Sequence, residues 1–139
     1  MATRWGVVGA GKISHDFLTA METLPGGDHR VVAVAARDKE RAREFATKHK
    51  VEKVLETYDD LAKDDDVEVR RVIYSISLSS ILQVVYVGVI APAHREMVLL
   101  MLANNKAVLC EKPLGLSLAE VGTFSSIIYV CTNLTGVCR

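Results

Sequence analysis

The stretch Arg4-Trp5-Gly6-Val7-Val8-Gly9-Ala10-Gly11-Lys12-Ile13-Ser14 decides the fold of this 139-residue chain. Arg4–Val8 reads as a short apolar strand. Ile13, Phe17, Met21 and Leu24 then recur at helical spacing, and Pro25-Gly26-Gly27 stops the helix. Between the two, Gly9 permits a tight turn and Gly11 lets a pyrophosphate approach the backbone. Ser14 takes the third position, where a small residue lets helix pack on strand. The helix start, at Lys12 and Ile13, offers free N–H groups and partial positive charge to phosphates. An ordinary strand–helix turn uses the same residue types. Placement on the first turn of an alternating chain favours the phosphate reading.

The alternation continues outward. Arg30–Ala36 is apolar on both faces, as a buried parallel strand should be. Asp38 suits the cap of a helix carrying Ala42, Phe45 and Ala46 on one face. Val51–Leu55 predicts a short strand and Tyr58–Ala62 a helical turn before Asp64-Asp65-Asp66. Val84–Ile90 predicts a strong strand, and Pro92 opens a helix with Met97, Leu100 and Met101 inward. Ala107–Cys110 is another strand, and Ser117-Leu118-Ala119-Glu120 reads as a capping box. Such βαβαβ alternation predicts an α/β fold, a doubly wound parallel sheet covered by helices.

Composition bounds the function. Lys plus Arg and Asp plus Glu are 17 each, so no basic excess points to nucleic acid or an anionic membrane. No run reaches the roughly 18 apolar residues of a membrane span. Three cysteines at wide spacing, Cys110, Cys131 and Cys138, fit neither a disulfide framework nor a zinc site. A reduced, cytoplasmic setting is the expectation, with no metal. Residues 1–69 hold 25 of the 34 charges and residues 70–139 only nine, so the two halves do not share one ordinary surface.

Two further places carry chemistry. At the tip of the second strand, an acidic residue would select the ribose of NAD, whereas arginine accommodates a 2′-phosphate. Here Arg37 follows Ala36, with Arg41 one helical turn on. Guanidinium forks suit a phosphate dianion, and helix capping accounts for Asp38. The reading is NADP, against the alternative that both arginines are simply solvated. The second place is Glu111-Lys112-Pro113, directly after the strand Ala107–Cys110, at the carboxyl edge where open α/β sheets bind ligands. A lysine there can hold a substrate hydroxyl and help its proton leave during hydride transfer. Residue types alone favour the plainer reading, a loop lysine paired with Glu111.

Together these residues resemble the glucose-fructose oxidoreductase / inositol dehydrogenase (Gfo/Idh/MocA) family. The similar text includes Arg4–Val8, Val31–Asp38 and Lys106–Pro113, within residues 1–69 and 85–121. The resemblance implies a Rossmann-type fold and an NADP-dependent oxidoreductase of the dihydrodiol or D-xylose dehydrogenase type. It implies a small-molecule substrate and a homodimer built through a second, α+β domain. By that likeness Lys112 is the catalytic-site lysine and Arg37 and Arg41 contact the 2′-phosphate. Tyr86 and His94 match coenzyme and active-site positions. The coenzyme-binding candidates are therefore Gly9, Gly11, Lys12, Ile13, Arg37, Arg41, Tyr86, His94, Glu111 and Lys112. His94 also has its own placement, just after Pro92 and above a strand's carboxyl end. Tyr86, inside a strand, reads as core on sequence alone. Where relatives often carry polar residues in the loop before this helix, this chain has Val89-Ile90-Ala91.

Two segments depart from the family. Arg70–Val84 reads as a 15-residue insertion at the amino end of the fourth strand, opposite the ligand edge. Its Tyr74–Ser79 alternates like a strand and competes in pattern with Val84–Ile90. The resemblance fades after Val121, and Gly122–Arg139 forms a divergent tail. The expected organisation is a coenzyme domain over residues 1–121, a tail over 122–139, and no substrate domain. The alternative to an active dehydrogenase is a non-catalytic NADP-binding fragment, because half of the walls that hold substrate against a nicotinamide would be missing.

Overall fold

The computed structural model describes residues 2–24, 27–64 and 83–123. Five strands form one parallel sheet in the order β3-β2-β1-β4-β5. They are β1 (Thr3–Val8), β2 (His29–Ala35), β3 (Lys53–Leu55), β4 (Gln83–Val87) and β5 (Ala107–Cys110). The helices are α1 (Lys12–Met21), α2 (Lys39–His49), α3 (Tyr58–Lys63) and α4 (Ala91–Ala103), and residues 118–123 are also helical. The chain builds outward from β1 to β3, then crosses back to place β4 on the other side of β1. The sheet order thus reverses between β1 and β4.

Alternation along the strands assigns the two faces. Val7, Val34 and Tyr86 pack on one side with Leu18 of α1 and Phe45 and Ala46 of α2. Val8, Ala35, Val85 and Val87 pack on the other with Leu61 and Ala62 of α3 and Met97, Val98 and Met101 of α4. Each large side chain fully buried here, such as Phe45 or Met101, contributes roughly 1.5–3 kcal/mol. Both faces are covered over β1, β2 and β4, which is why their carboxyl-terminal halves read as continuous apolar runs.

The elements match the sequence reading with shifts at their ends. Asp38 caps α2, its carboxylate accepting the Arg41 N–H at 3.2 Å. Pro92 lies in the first turn of α4, and β5 has the expected bounds. The helix predicted through Leu24 ends at Met21, and Leu24 is exposed. The strand predicted over Val84–Ile90 ends at Val87, because Gly88 turns the chain into α4. It also starts earlier: Gln83 and Val84, read as the end of the insertion, pair with Arg4 and Trp5 of β1. The slot beside β1 is therefore filled in register. Tyr74–Ser79, and the tail from Phe124 onward, lie outside the described residues. At Ser117 the cap forms, with the Glu120 N–H donating to Ser117 Oγ at 3.3 Å. The Glu120 carboxylate accepts from Leu116 N–H rather than from the cap residue itself.

Candidate functional site

Three backbone hydrogen bonds extend the sheet past its carboxyl edge and fix the loops there. Gly9 N–H donates to Ala35 O at 2.8 Å, Gly88 N–H to Val8 O at 2.9 Å and Glu111 N–H to Val87 O at 3.1 Å. The sheet order then sets the β2 tip, the glycine turn, Gly88 and Glu111-Lys112 in one row. This is the edge, at a topological switch point, where open α/β sheets take ligands.

The glycine turn is built for close approach. Gly9 has φ of 97°, and a Cβ there would meet Gly88 O and Val89 Cγ1 at 3.0 Å. Gly11 is the α1 cap residue and has no side chain with which to cap this helix end. The first N–H groups, of Lys12, Ile13 and Ser14, so lack intrahelical acceptors. The first turn also carries no acidic residue, leaving its positive end uncompensated. The Lys12 ammonium turns away to Asp16 at 2.6 Å, so Lys12 and Ile13 offer the site backbone rather than charge. Ser14 is fully buried against Gly88, and its hydroxyl has no hydrogen-bond partner among the described residues. It is the small residue that lets α1 sit on the sheet, as its place in the motif predicts.

At the β2 tip, Arg37 is exposed and its guanidinium makes no ion pair among the described residues, while its N–H donates to the Tyr58 hydroxyl at 3.1 Å. Arg41 Nε lies 3.6 Å from Asp38 Oδ2. Asp38 thus spends one oxygen on the α2 N-terminus and the other beside Arg41.

At the other end, Tyr86 and Glu111 form a unit. Tyr86 is buried and its ring stacks on Phe17 at 3.9 Å and 3°. Its hydroxyl donates to Glu111 Oε1 at 2.7 Å, and the second carboxylate oxygen accepts the Lys112 N–H at 3.3 Å. Burial, and then the Glu111 carboxylate, push the Tyr86 phenol above its ordinary range. Tyr86 is therefore both core, as its strand position implied, and the anchor of Glu111. Lys112 is exposed, and its ammonium has no ion-pair partner among the described residues. The Lys112–Pro113 peptide is cis.

His94 is 1% exposed. Its ring nitrogens face Pro113 O at 2.7 Å and Val89 O at 2.9 Å. It bridges the loop after β4 to the loop after β5, and a neutral ring donates to only one of these carbonyls at a time. It lies buried where these two loops meet. Sequence reading missed Gly88, where a Cβ would lie 2.4 Å from Ser14 Oγ; a glycine closing a strong apolar strand was the available signal. It also missed Tyr58, for which no local signal exists.

The arrangement suits a dinucleotide: uncapped N–H groups beside glycines, a cation at the β2 tip, and a lysine held at the far end. Among the described residues no helix is long and apolar enough to cross a membrane. Comparison with known proteins agrees with this geometry. Trans-1,2-dihydrobenzene-1,2-diol dehydrogenase of Xenopus tropicalis is 48% identical over 121 residues, covering 87% of this chain and 32% of that protein. The Bos taurus protein of the same name is 50% identical with the same coverage. The chain thus spans about a third of the length of these relatives. A 3-ketoreductase from Actinomadura kijaniata, solved with NADP and TDP-benzene, superposes with TM-score 0.74 at 28% identity, over 91% of this chain and 34% of that one. Residues 3–128 match the Gfo/Idh/MocA family, described as an oxidoreductase family with an NAD-binding Rossmann fold, and the chain belongs to that family.

Proposed function

We propose that residues 1–121 are the NADP-binding domain of an oxidoreductase of the dihydrodiol or D-xylose dehydrogenase type. The observation that carries the coenzyme choice is the β2 tip. Arg37 holds its guanidinium open there, while the neighbouring Asp38 carboxylate is engaged by the α2 N-terminus and Arg41. An acid so engaged is a poor partner for ribose hydroxyls, and a guanidinium fork is a good one for a phosphate dianion. The NADP held by the similar 3-ketoreductase and the names of the dehydrogenase relatives support the same reading.

In this reading the N–H groups of Lys12 and Ile13 hold the pyrophosphate beside Gly9 and Gly11, and Arg37 and Arg41 hold the 2′-phosphate. Bound NADP would supply the hydride acceptor for oxidation of a hydroxyl-bearing carbon. Lys112 holds the substrate hydroxyl and eases departure of its proton. Glu111, fixed by Tyr86 through one oxygen and by the Lys112 N–H through the other, sets where that lysine starts. His94 sets the spacing of the two loops. The substrate is a small molecule, a trans-dihydrodiol or a pentose, and the homodimer belongs to the same proposal.

The alternative reading is a coenzyme-binding module without turnover. The test is the purified 139-residue chain with NADP+ and either trans-dihydrodiol or D-xylose, read at 340 nm, beside NADPH titration by fluorescence. Turnover supports the dehydrogenase. NADPH binding without turnover supports the module, and absence of both overturns the coenzyme assignment.

A further inference from the structure

Tyr58 stands opposite the coenzyme arginine with a hydrogen bond still to give. It opens α3, and its place is fixed from both sides. Thr57 and Asp60 form a reciprocal cap: Asp60 N–H donates to Thr57 Oγ1 at 3.0 Å and Thr57 N–H to Asp60 Oδ2 at 2.9 Å. The Tyr58 ring packs against the core formed by the sheet with α3 and α4. A phenol anchored in this way has little freedom to move its hydroxyl.

That hydroxyl accepts the Arg37 N–H at 3.1 Å. A phenol oxygen accepts through its lone pairs and keeps its own proton to donate. Among the described residues that proton has no acceptor. The acids beside Arg37 and Tyr58 in the sequence are engaged elsewhere: Asp38 by Arg41, Glu56 by Lys39 at 2.9 Å, Asp59 by Lys63 and Asp60 by Thr57. The site therefore pairs an open guanidinium and an unspent O–H donor with no free carboxylate among these four acids to answer them. Such a pair is complementary to an anionic oxygen lying over the β2 tip.

We propose that Tyr58 is a further coenzyme-binding residue, whose hydroxyl donates to the 2′-phosphate held by Arg37 and sharpens the choice of NADP over NAD. The inference rests on the NADP reading above. Tyr58 works in two ways on this geometry. Accepting the Arg37 N–H holds the peptide that aims the guanidinium, and the free O–H adds a bond that a coenzyme without the 2′-phosphate does not use.

Tyr58→Phe in the full chain keeps the ring and removes only the hydroxyl. Binding of NADPH and of NADH is measured for wild type and variant, with the melting temperature as a fold control. The expected result is an NADPH affinity lower by about ten-fold, the usual effect of losing one hydrogen bond to a charged group, with NADH affinity little changed. A variant that keeps the wild-type NADPH/NADH ratio overturns the role of Tyr58 and leaves the NADP reading standing. A wild type that binds neither, or both equally, overturns the NADP reading and this inference together. If Tyr58→Phe does not fold, 3-fluorotyrosine at position 58 gives the same decision. Its 19F resonance should shift with NADPH and not with NADH; identical shifts with both overturn the proposal.

Discussion

Gly88→Ala is the sharpest test of how the coenzyme edge is packed. The Gly88 backbone lies outside the left-handed region, so alanine costs nothing in φ and the penalty is one of space. Its Cβ would fall 2.4 Å from Ser14 Oγ and 2.7 Å from Tyr86 Cε1, with Ile13 Cγ2 at 3.4 Å. The Tyr86 ring has nowhere to go, being stacked on Phe17 and tied through its hydroxyl to Glu111. Relief must come from Ser14, and so from displacing the start of α1. Overpacking of this kind costs about 1–3 kcal/mol. For a domain near this size that lowers the melting temperature by roughly 3–15 °C. The assay is thermal and urea unfolding followed by circular dichroism on four proteins: wild type, Gly88→Ala, Ser14→Ala and the double variant. Ser14→Ala alone should be within about 0.5 kcal/mol of wild type or slightly more stable, since its buried hydroxyl has no partner among the described residues to lose. In the double variant the 2.4 Å clash is gone and the 2.7 Å one remains. It should recover part of the loss, with a coupling of about 0.5–1.5 kcal/mol, inside the range for residues in contact. A Gly88→Ala chain that melts with wild type, or additive single effects, would refute the packing argument.

Three further outcomes follow from the same geometry. Arg37→Asp should weaken NADPH binding by about ten-fold or more while sparing NADH; equal losses for the two coenzymes would remove the 2′-phosphate assignment. Burial, and then the Glu111 charge, push the Cys110 thiol up to about 11 from its ordinary 9.0. In a Cys131→Ser/Cys138→Ser background it should react slowly with iodoacetamide at pH 8 and faster up to about pH 11, and a rate that levels off by pH 9 would contradict this. With its folded value raised, the stability from Cys110 is full below pH 9 and lost as pH climbs toward about 11. His15 hydrogen-bonds His49 at 2.7 Å, and burial, then the Lys48 and His49 charges, lower its pKa against the opposing Asp16. Its contribution is therefore present above about pH 6.5 and lost as pH falls through the lowered value. NMR titration should place the His15 midpoint below 6.5, and a midpoint at or above it would be inconsistent with the site.

Much of the architecture is legible in order along the chain. Val7-Val8 and Val32–Ala36 are apolar on both faces and buried, as a sheet covered on both sides requires, whereas Leu109 of the equally apolar edge strand β5 is 44% exposed, and the glycine turn sits where strand meets helix. Asp38 shows how a local rule settles an ambiguous residue. Capping geometry is fixed by neighbours three positions away, so the carboxylate's role follows from Arg41 N–H alone. Element ends were less legible. Nothing in Val84–Ile90 taken by itself stops the strand at Val87; Gly88 does so because α1 and the Tyr86 ring leave no room for a side chain there.

The sequence by itself determined the alternation of elements, the phosphate-type turn at Gly9–Ser14, the arginines after β2 and the lysine after β5. Each depends on residues a few positions apart, where periodicity and backbone preference act. Only the tertiary structure decided which of these meet. The order β3-β2-β1-β4-β5 brings Tyr86 to Glu111, His94 to Pro113 and Arg37 to Tyr58, contacts spanning 25, 19 and 21 positions. Such pairings are set by which strands lie side by side at the carboxyl edge, a property of sheet order and crossover that no local window of the chain contains.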